Sequence, residues 1–268
     1  MAMNGAAVET AAKPGFLSGH ALELRGVSRH FGSLRAIDDV SFAVEAGARY
    51  GVLGSNGAGK TTLFNAITGD FPPTAGQVLL FGDDVTRLPA HERARRGLRR
   101  TYQTSLLFRE LSVRDNLFLA VRGAAPGRLS LLRPRAGDAS RQAVETLLAH
   151  GRLDVIADVA VGNLSHGQQR QLEIAMALAG SPRLILFDEP AAGLSPAERR
   201  ELVALLRALP RHVGFVIIEH DLDIALTVTE QVTVMHNGRV LLSGTPGEIQ
   251  ANEDVHAIYM GEGRHAQH

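Results

Sequence analysis

The stretch Gly54-Ser55-Asn56-Gly57-Ala58-Gly59-Lys60-Thr61-Thr62 constrains this chain more than any other. Tyr50-Gly51-Val52-Leu53 before it is a short apolar run that reads as a buried strand. Thr61 to Thr68 after it reads as a helix, closed by Gly69 and then Pro72-Pro73. Strand, glycine-rich loop and helix in that order match the phosphate-binding loop G-x-x-x-x-G-K-[ST]. Its glycines let the backbone turn tightly, so that consecutive N–H groups point inward at phosphate oxygens. The following helix adds its positive N-terminal end. Lys60 can reach the terminal phosphates as a point charge, and the Thr61 hydroxyl is placed to ligate Mg²⁺. The loop alone implies a nucleoside triphosphate and no particular reaction.

Leu184-Ile185-Leu186-Phe187-Asp188-Glu189-Pro190 is the second strong signal. Four apolar residues make a central strand, with two carboxylates at its C-terminal end, where open α/β sheets bind ligands. Beside a phosphate loop, Asp188 suits direct or indirect Mg²⁺ binding and Glu189 suits polarising an attacking water. Val213 to Ile218 forms a further buried strand ending in Glu219-His220-Asp221, which puts His220 on the same rim as a candidate γ-phosphate contact. Such a histidine taken alone is more often structural. Leu164-Ser165-His166-Gly167-Gln168-Gln169 opens a helix, with Ser165 and Gln168 spaced as a capping box. Leu172, Ala175, Met176 and Ala179 continue it as a packed stripe. That helix start is either a well-made cap or an anion site, and the pattern does not decide between them.

The remaining segments frame these signals. Leu22 to Val27 and Ser41 to Val44 read as strands, with a turn-like Arg29-His30-Phe31-Gly32 between them. Position alone favours Phe31 as a turn anchor over a platform for a nucleotide base. Gln77 to Phe81 reads as a strand and Gly82-Asp83-Asp84 as a turn. Arg93, Arg95, Arg96, Arg99 and Arg100 form a charge cluster, expected first as a solvated helix face and second as a partner or headgroup surface. From about Ser112 to Gly180 the pattern is helical, interrupted by a Gly-, Pro- and Arg-rich loop over 123–138. Pro196 to Leu209 is a helix, Asn237-Gly238 joins two strands as a hairpin, and Glu248 to Gly261 holds one or two short helices.

Composition narrows the class. The 268 residues carry 45% hydrophobic residues, enough for a sizeable core. The formal net charge is zero, so nothing global points to nucleic acid. There is no cysteine, which excludes disulfides and thiolate metal sites and fits a reducing compartment. His256, His265 and His268 show no metal-site spacing. No apolar run approaches a membrane span, and residues 1–20 read as a loose leader rather than a secretory signal. A chain like this works at a membrane only through partners, from the cytoplasmic side as a peripheral protein.

Taken together, the phosphate loop, helical insert, Leu-Ser-x-Gly-Gln, Asp-Glu-Pro and strand-end His resemble the nucleotide-binding subunit of an ABC transporter, over about residues 22 to 261. In detail the chain is similar to the group serving importers of branched-chain and other hydrophobic amino acids. Thr61 to Asn65 with Ile67 to Gly69, Arg100 to Gln103, Gly167 to Arg170 with Leu172 to Ala175, Ala192 to Pro196 and Ala257 to Gly261 carry that likeness. The resemblance implies an α/β cassette over 21–261, with an antiparallel β subdomain and an inserted helical subdomain over about 104–180, followed by a tail over 262–268. It implies ATP and Mg²⁺, with Phe31 stacked on adenine, residues 54–62 cradling the phosphates, and Thr61, Gln103 and Asp188 serving the metal. Glu189 becomes the catalytic base, and His220 and Lys60 hold the γ-phosphate. Ser165, Gly167 and Gln168 would meet ATP held by a second copy or a homologous subunit. The Gln103 loop would receive a membrane-spanning permease subunit, with a solute-binding protein as an indirect partner.

Three positions depart from the family pattern. Ser55 stands where Pro is usual, His166 replaces the first signature Gly, and Ser195 replaces an Asp or Asn. His166 is similar to urea-type relatives, so urea or short amides form one alternative cargo. Lipopolysaccharide-type export is another, and a soluble ABC ATPase acting on nucleic acid is a third, for which heptad arms, cysteine metal sites and tandem cassettes are all lacking in this sequence.

Overall fold

Two sheets organise the chain in the computed structural model, which describes residues 19–101, 107–124 and 138–262. β1 (His20–Phe31) and β2 (Leu34–Glu45) form a long antiparallel hairpin. β3 (Arg49–Gly54) leads through the glycine loop into α1 (Lys60–Thr68). β4 (Ala75–Leu80) and the two-residue β5 (Asp83–Asp84) complete a four-stranded sheet ordered β2-β1-β4-β5. α2 (Ala90–Arg95), β6 (Leu98–Arg100), α3 (Val113–Ala124), α4 (Asp138–Gly151) and α5 (His166–Ala177) follow. Next come β7 (Leu184–Asp188), α6 (Pro196–Arg207), β8 (Gly214–Glu219) and α7 (Leu222–Val228). β9 (Gln231–His236), β10 (Arg239–Gly244), α8 (Pro246–Gln250) and α9 (Glu253–Glu262) complete the described residues.

The larger sheet has the order β10-β9-β3-β8-β7-β6. β9, β3, β8, β7 and β6 run parallel, and β10 returns antiparallel to β9. β3, β7 and β8 are buried at every residue, which is why they read as unbroken apolar runs rather than alternating ones. Parallel strands end at one edge. The glycine loop after β3, Asp188 at the end of β7 and Glu219 at the end of β8 therefore share a rim.

α3, α4 and α5 bury Val113, Leu117, Val144, Leu148, Leu172 and Ala175 in a core of their own. α6 lays Leu202, Leu205 and Leu206 against Phe187, Phe215 and Ile217 of the large sheet. Among the described residues no helix is long and apolar enough to cross a membrane.

Three expectations are corrected. The stretch Arg29 to Phe31 is strand rather than turn, with Arg29 paired to Ile37 and His30 to Arg35. Register shifts along β1, with Gly26 at φ 59°, break the alternation that would have marked a longer strand. Asp83-Asp84 is a short strand and not a turn. The arginine cluster is not one solvated face, because it spans α2 and β6 and divides. Arg95 is exposed, whereas Arg93 is 1% exposed and the Arg100 side chain 6%.

Candidate functional site

The loop from Gly54 to Thr62 is held by contacts that admit no side chain at two glycines. Gly59 sits at φ 95°, and a Cβ there would lie 2.4 Å from the Ala36 carbonyl oxygen. Gly54 backs onto Met235, whose carbonyl oxygen would lie 2.4 Å from an added Cβ. The Asn237-Gly238 turn braces the loop, Gly238 donating its N–H to the Ala58 carbonyl at 3.1 Å. Lys60 is 5% exposed and curls over the loop, its Nζ donating to the carbonyls of Gly54 at 2.7 Å and Ser55 at 3.0 Å. Asn56, Gly57 and Thr61 remain exposed.

An open depression of about 450 Å³ lies over this loop. Asn56 through Thr62 line it, with Leu34, Arg35 and Ala36 from β2, Asn237 and Gly238 from the β9–β10 turn, and Glu189. The two strongest sequence signals thus meet in one cavity. Glu189 holds the left-handed φ of 46°, a costly conformation for a residue with a side chain, and its N–H donates to the Ile218 carbonyl at 3.0 Å.

Asp188 is 2% exposed. Its Oδ2 accepts from Arg100 Nη2 at 2.6 Å, and its Oδ1 is buried without a hydrogen-bond partner. Arg100 Nη1 also donates to Asn65 Oδ1 at 2.6 Å and Asp70 Oδ2 at 3.0 Å, so one guanidinium ties α1 to the end of β7. Sequence reasoning missed this role. The pair lies 88 positions apart, and no local pattern marks it.

Glu219 is fully buried at the end of β8. Its Oε1 accepts from the Ala191 N–H at 2.9 Å, which pins the segment after Asp188-Glu189-Pro190. Its Oε2 has no hydrogen-bond partner and lies 3.9 Å from His220 Nδ1. Burial pushes the Glu219 carboxyl up to about 7, and the nearby Glu189 and Asp221 carboxylates add to the rise while the Ala191 and His220 backbone amides oppose it. The His220 side chain is half exposed on the same rim, outside the residues that line the depression.

Phe31 is 45% exposed at the end of β1, opposite Leu34, and is not among the lining residues. Its ring meets Phe71 edge-on at 5.7 Å, and the Arg29 guanidinium lies 4.7 Å from both ring centres. Ser165, Gly167 and Gln168 stand at the start of α5, also away from the depression. The capping box forms as the spacing implied. Ser165 Oγ accepts from the Gln168 N–H at 3.2 Å, and Gln168 Oε1 accepts from the Ser165 N–H at 2.9 Å. Gln103 lies outside the described residues.

Comparison with known proteins places this geometry in a family. The model of the ABC transporter family matches residues 37–192. A second model, for the branched-chain amino acid ATP-binding cassette transporter, matches residues 239–265. The chain is 38% identical to the high-affinity branched-chain amino acid transport ATP-binding protein BraF of Pseudomonas aeruginosa, over 90% of this chain and 98% of that protein. It is 34% identical to the lipopolysaccharide export system ATP-binding protein LptB of Escherichia coli, over 90% of this chain and 97% of that protein. An ATP-binding cassette of an ABC transporter, solved in its ADP conformation, superposes with a TM-score of 0.79 at 30% identity, covering 91% of this chain and all of the other. The chain belongs to the ABC transporter family, as one of its ATP-hydrolysing cassettes.

Proposed function

We propose that this chain powers the uptake of branched-chain or related hydrophobic amino acids, working beneath membrane-spanning permease subunits. The observation that carries the cargo class is the match of residues 239–265 to the branched-chain cassette model. The described part of that segment, residues 239–262, is built into the cassette as β10, α8 and α9. The greater identity to the branched-chain relative than to the export relative points the same way.

ATP fits the depression: the exposed loop offers inward N–H groups and Lys60, and Glu189 faces the same space. Mg²⁺ fits beside it. Thr61 is exposed at the start of α1, and the buried Asp188 Oδ1 is an oxygen still lacking a partner. A metal held by one or two protein oxygens and the substrate's phosphates needs no larger cage. When bound there, Mg²⁺ would neutralise charge on the transferred phosphoryl group. Phe31, exposed at the end of β1, is assigned to the base, and Gln103 to the metal and the permease interface.

The chain's own residues perform the hydrolysis. Glu189 takes a proton from the attacking water as its oxygen bonds to the γ-phosphorus, and the bond to the ADP oxygen breaks. Lys60 and His220 hold the γ-phosphate oxygens. Ser165, Gly167 and Gln168 complete the site of a second cassette, identical or homologous, closing head to tail.

The test is uptake of labelled leucine, and separately of urea, in cells carrying the native chain or Glu189→Gln in its transporter. Loss of leucine uptake alone is expected. Loss of urea uptake alone would transfer the cargo to the class hinted at by His166. Unchanged uptake of both solutes would put the cargo outside both classes, and a Glu189→Gln chain that still hydrolysed ATP at the native rate would remove Glu189 from the role of base.

A further inference from the structure

Two helices start side by side in this cassette, and one carboxylate serves both. Glu198 is the third residue of α6, within the capping box opened by Ser195. Its Oε2 accepts from the Ser195 N–H at 2.9 Å and from Ser195 Oγ at 2.8 Å. Its Oε1 turns to the other helix, accepting from the Gly167 N–H at 2.9 Å and lying 3.4 Å from Ser165 Oγ. The approach is close enough that a Cβ on Gly167 would lie 2.6 Å from that oxygen. These donors hold the Glu198 carboxyl down at about 2, so it is anionic at any working pH.

The capping box of α5 serves the Gln168 and Ser165 N–H groups and leaves the Gly167 N–H without an acceptor in its own helix, so Glu198 supplies that acceptor from a neighbouring element. The first turn of α6 reaches in another direction as well: Arg199 Nη1 donates to Asp221 Oδ2 at 2.7 Å, one residue beyond His220. One helical turn therefore joins the signature motif, the Ser195 loop and the strand end that carries His220.

We infer that Glu198 is a positioning residue that clips the signature motif to the Ser195 loop within one subunit and releases the Gly167 N–H to the γ-phosphate when two subunits close. The inference rests on the reading above, in which Ser165 and Gly167 meet a nucleotide held by a second cassette. An N–H aimed at one anion does not serve a second at full strength, and two anions at one helix start repel each other. Closure therefore moves Oε1 aside while Oε2 keeps Ser195. Arrival of the phosphate at Gly167 is passed in this way to the loop that follows Glu189.

The experiment compares full-length Glu189→Gln with Glu189→Gln/Glu198→Gln, measuring dimer formation against ATP with Mg²⁺ by sedimentation. Gln is itself a capping-box residue, so α6 keeps its start. The double variant is expected to dimerise at an ATP concentration about tenfold lower, because an uncharged amide yields Gly167 more readily. A purely structural role would move the midpoint the other way, since lost support weakens assembly. ¹⁵N-glycine spectra of the nucleotide-free chains supply a second readout, in which the Gly167 amide should shift on Glu198→Gln. An unchanged or higher midpoint in two folded chains overturns the inference while leaving the proposed function standing. A Glu189→Gln parent that never dimerises with ATP overturns both.

Discussion

Glu219 shows how a single side chain can make the site sensitive to pH. It is fully buried, it accepts from the Ala191 amide, and it sits among other acids. Its carboxyl is raised from 4.5 to about 7. Between those values the folded chain holds a proton that the unfolded chain has lost, so stability falls as pH rises through this window and is level above it. Glu219→Gln keeps an acceptor for the Ala191 N–H and removes the titration. Wild type should lose on the order of 3 kcal/mol relative to that variant between pH 4 and pH 8. Urea midpoints of both chains at pH 4, 6 and 8 measure the difference, and parallel curves would show that Glu219 stays ionised in the fold. Arg100 makes the complementary point. It compensates Asp188 Oδ2 inside the protein, while Oδ1 is buried without a hydrogen-bond partner.

Elements whose local signals agreed with their tertiary surroundings were legible in the sequence. The run from β3 through the glycine loop to α1, the fully buried β7 and β8, the capped start of α5 and the Asn237-Gly238 turn all appear where spacing and caps put them. What escaped depends on distant partners. α7 is a helix of seven residues with a single Asp221 cap, too short to show a period. Glu198 did carry a visible cue, since Ser195 and Glu198 repeat the spacing of Ser165 and Gln168, but nothing in that cue discloses the reach to Gly167. Arg93 was masked by charged neighbours. It is buried beneath α1, where Nη1 donates to the Ala66 carbonyl at 2.7 Å and the Ile67 carbonyl at 2.8 Å. Nε and Nη2 donate to the carbonyls of Leu88 at 2.8 Å and Thr86 at 3.0 Å. These contacts satisfy the C-terminal end of the helix whose N-terminus forms the phosphate loop. Burial lowers the guanidinium to about 10, which leaves it charged at neutral pH. Arg93→Leu strands those carbonyls and should cost about 3–5 kcal/mol, against about 0.5 or less for the exposed Arg95→Leu. Denaturant titration of the two variants checks the contrast, and equal losses would refute the anchoring role.

At the scale of the whole molecule, the question is whether the segment matching the branched-chain model is an attached module or part of the cassette. The strand that carries the phosphate loop, β3, lies between β8 and β9, which arrive more than 150 residues later in the chain, as the pairing of Arg49 with Phe215 and Tyr50 with Gln231 shows. The loop is therefore not supported until nearly the whole chain is present. Beyond β10, Ile249 of α8 and Val255 of α9 are 0% and 1% exposed, and they close a cluster formed with Leu53 of β3, Ala225 of α7 and Val232 and Val234 of β9. Leu53 is the residue just before the phosphate loop, so the final helices are packed against the underside of the nucleotide site. Removing residues 246–268 uncovers that cluster and deletes two buried aliphatic side chains, a loss of about 3–6 kcal/mol. That is comparable to the whole stability of a modest domain. The truncated chain should fail to accumulate as a folded protein. Ile249→Ala supplies the graded version, with an expected loss of about 2–4 kcal/mol in denaturant titration and weaker ATP binding in proportion to the unfolded fraction. A truncated chain with native melting temperature and ATPase rate would make the segment a separate module, and Ile249→Ala would then be silent as well.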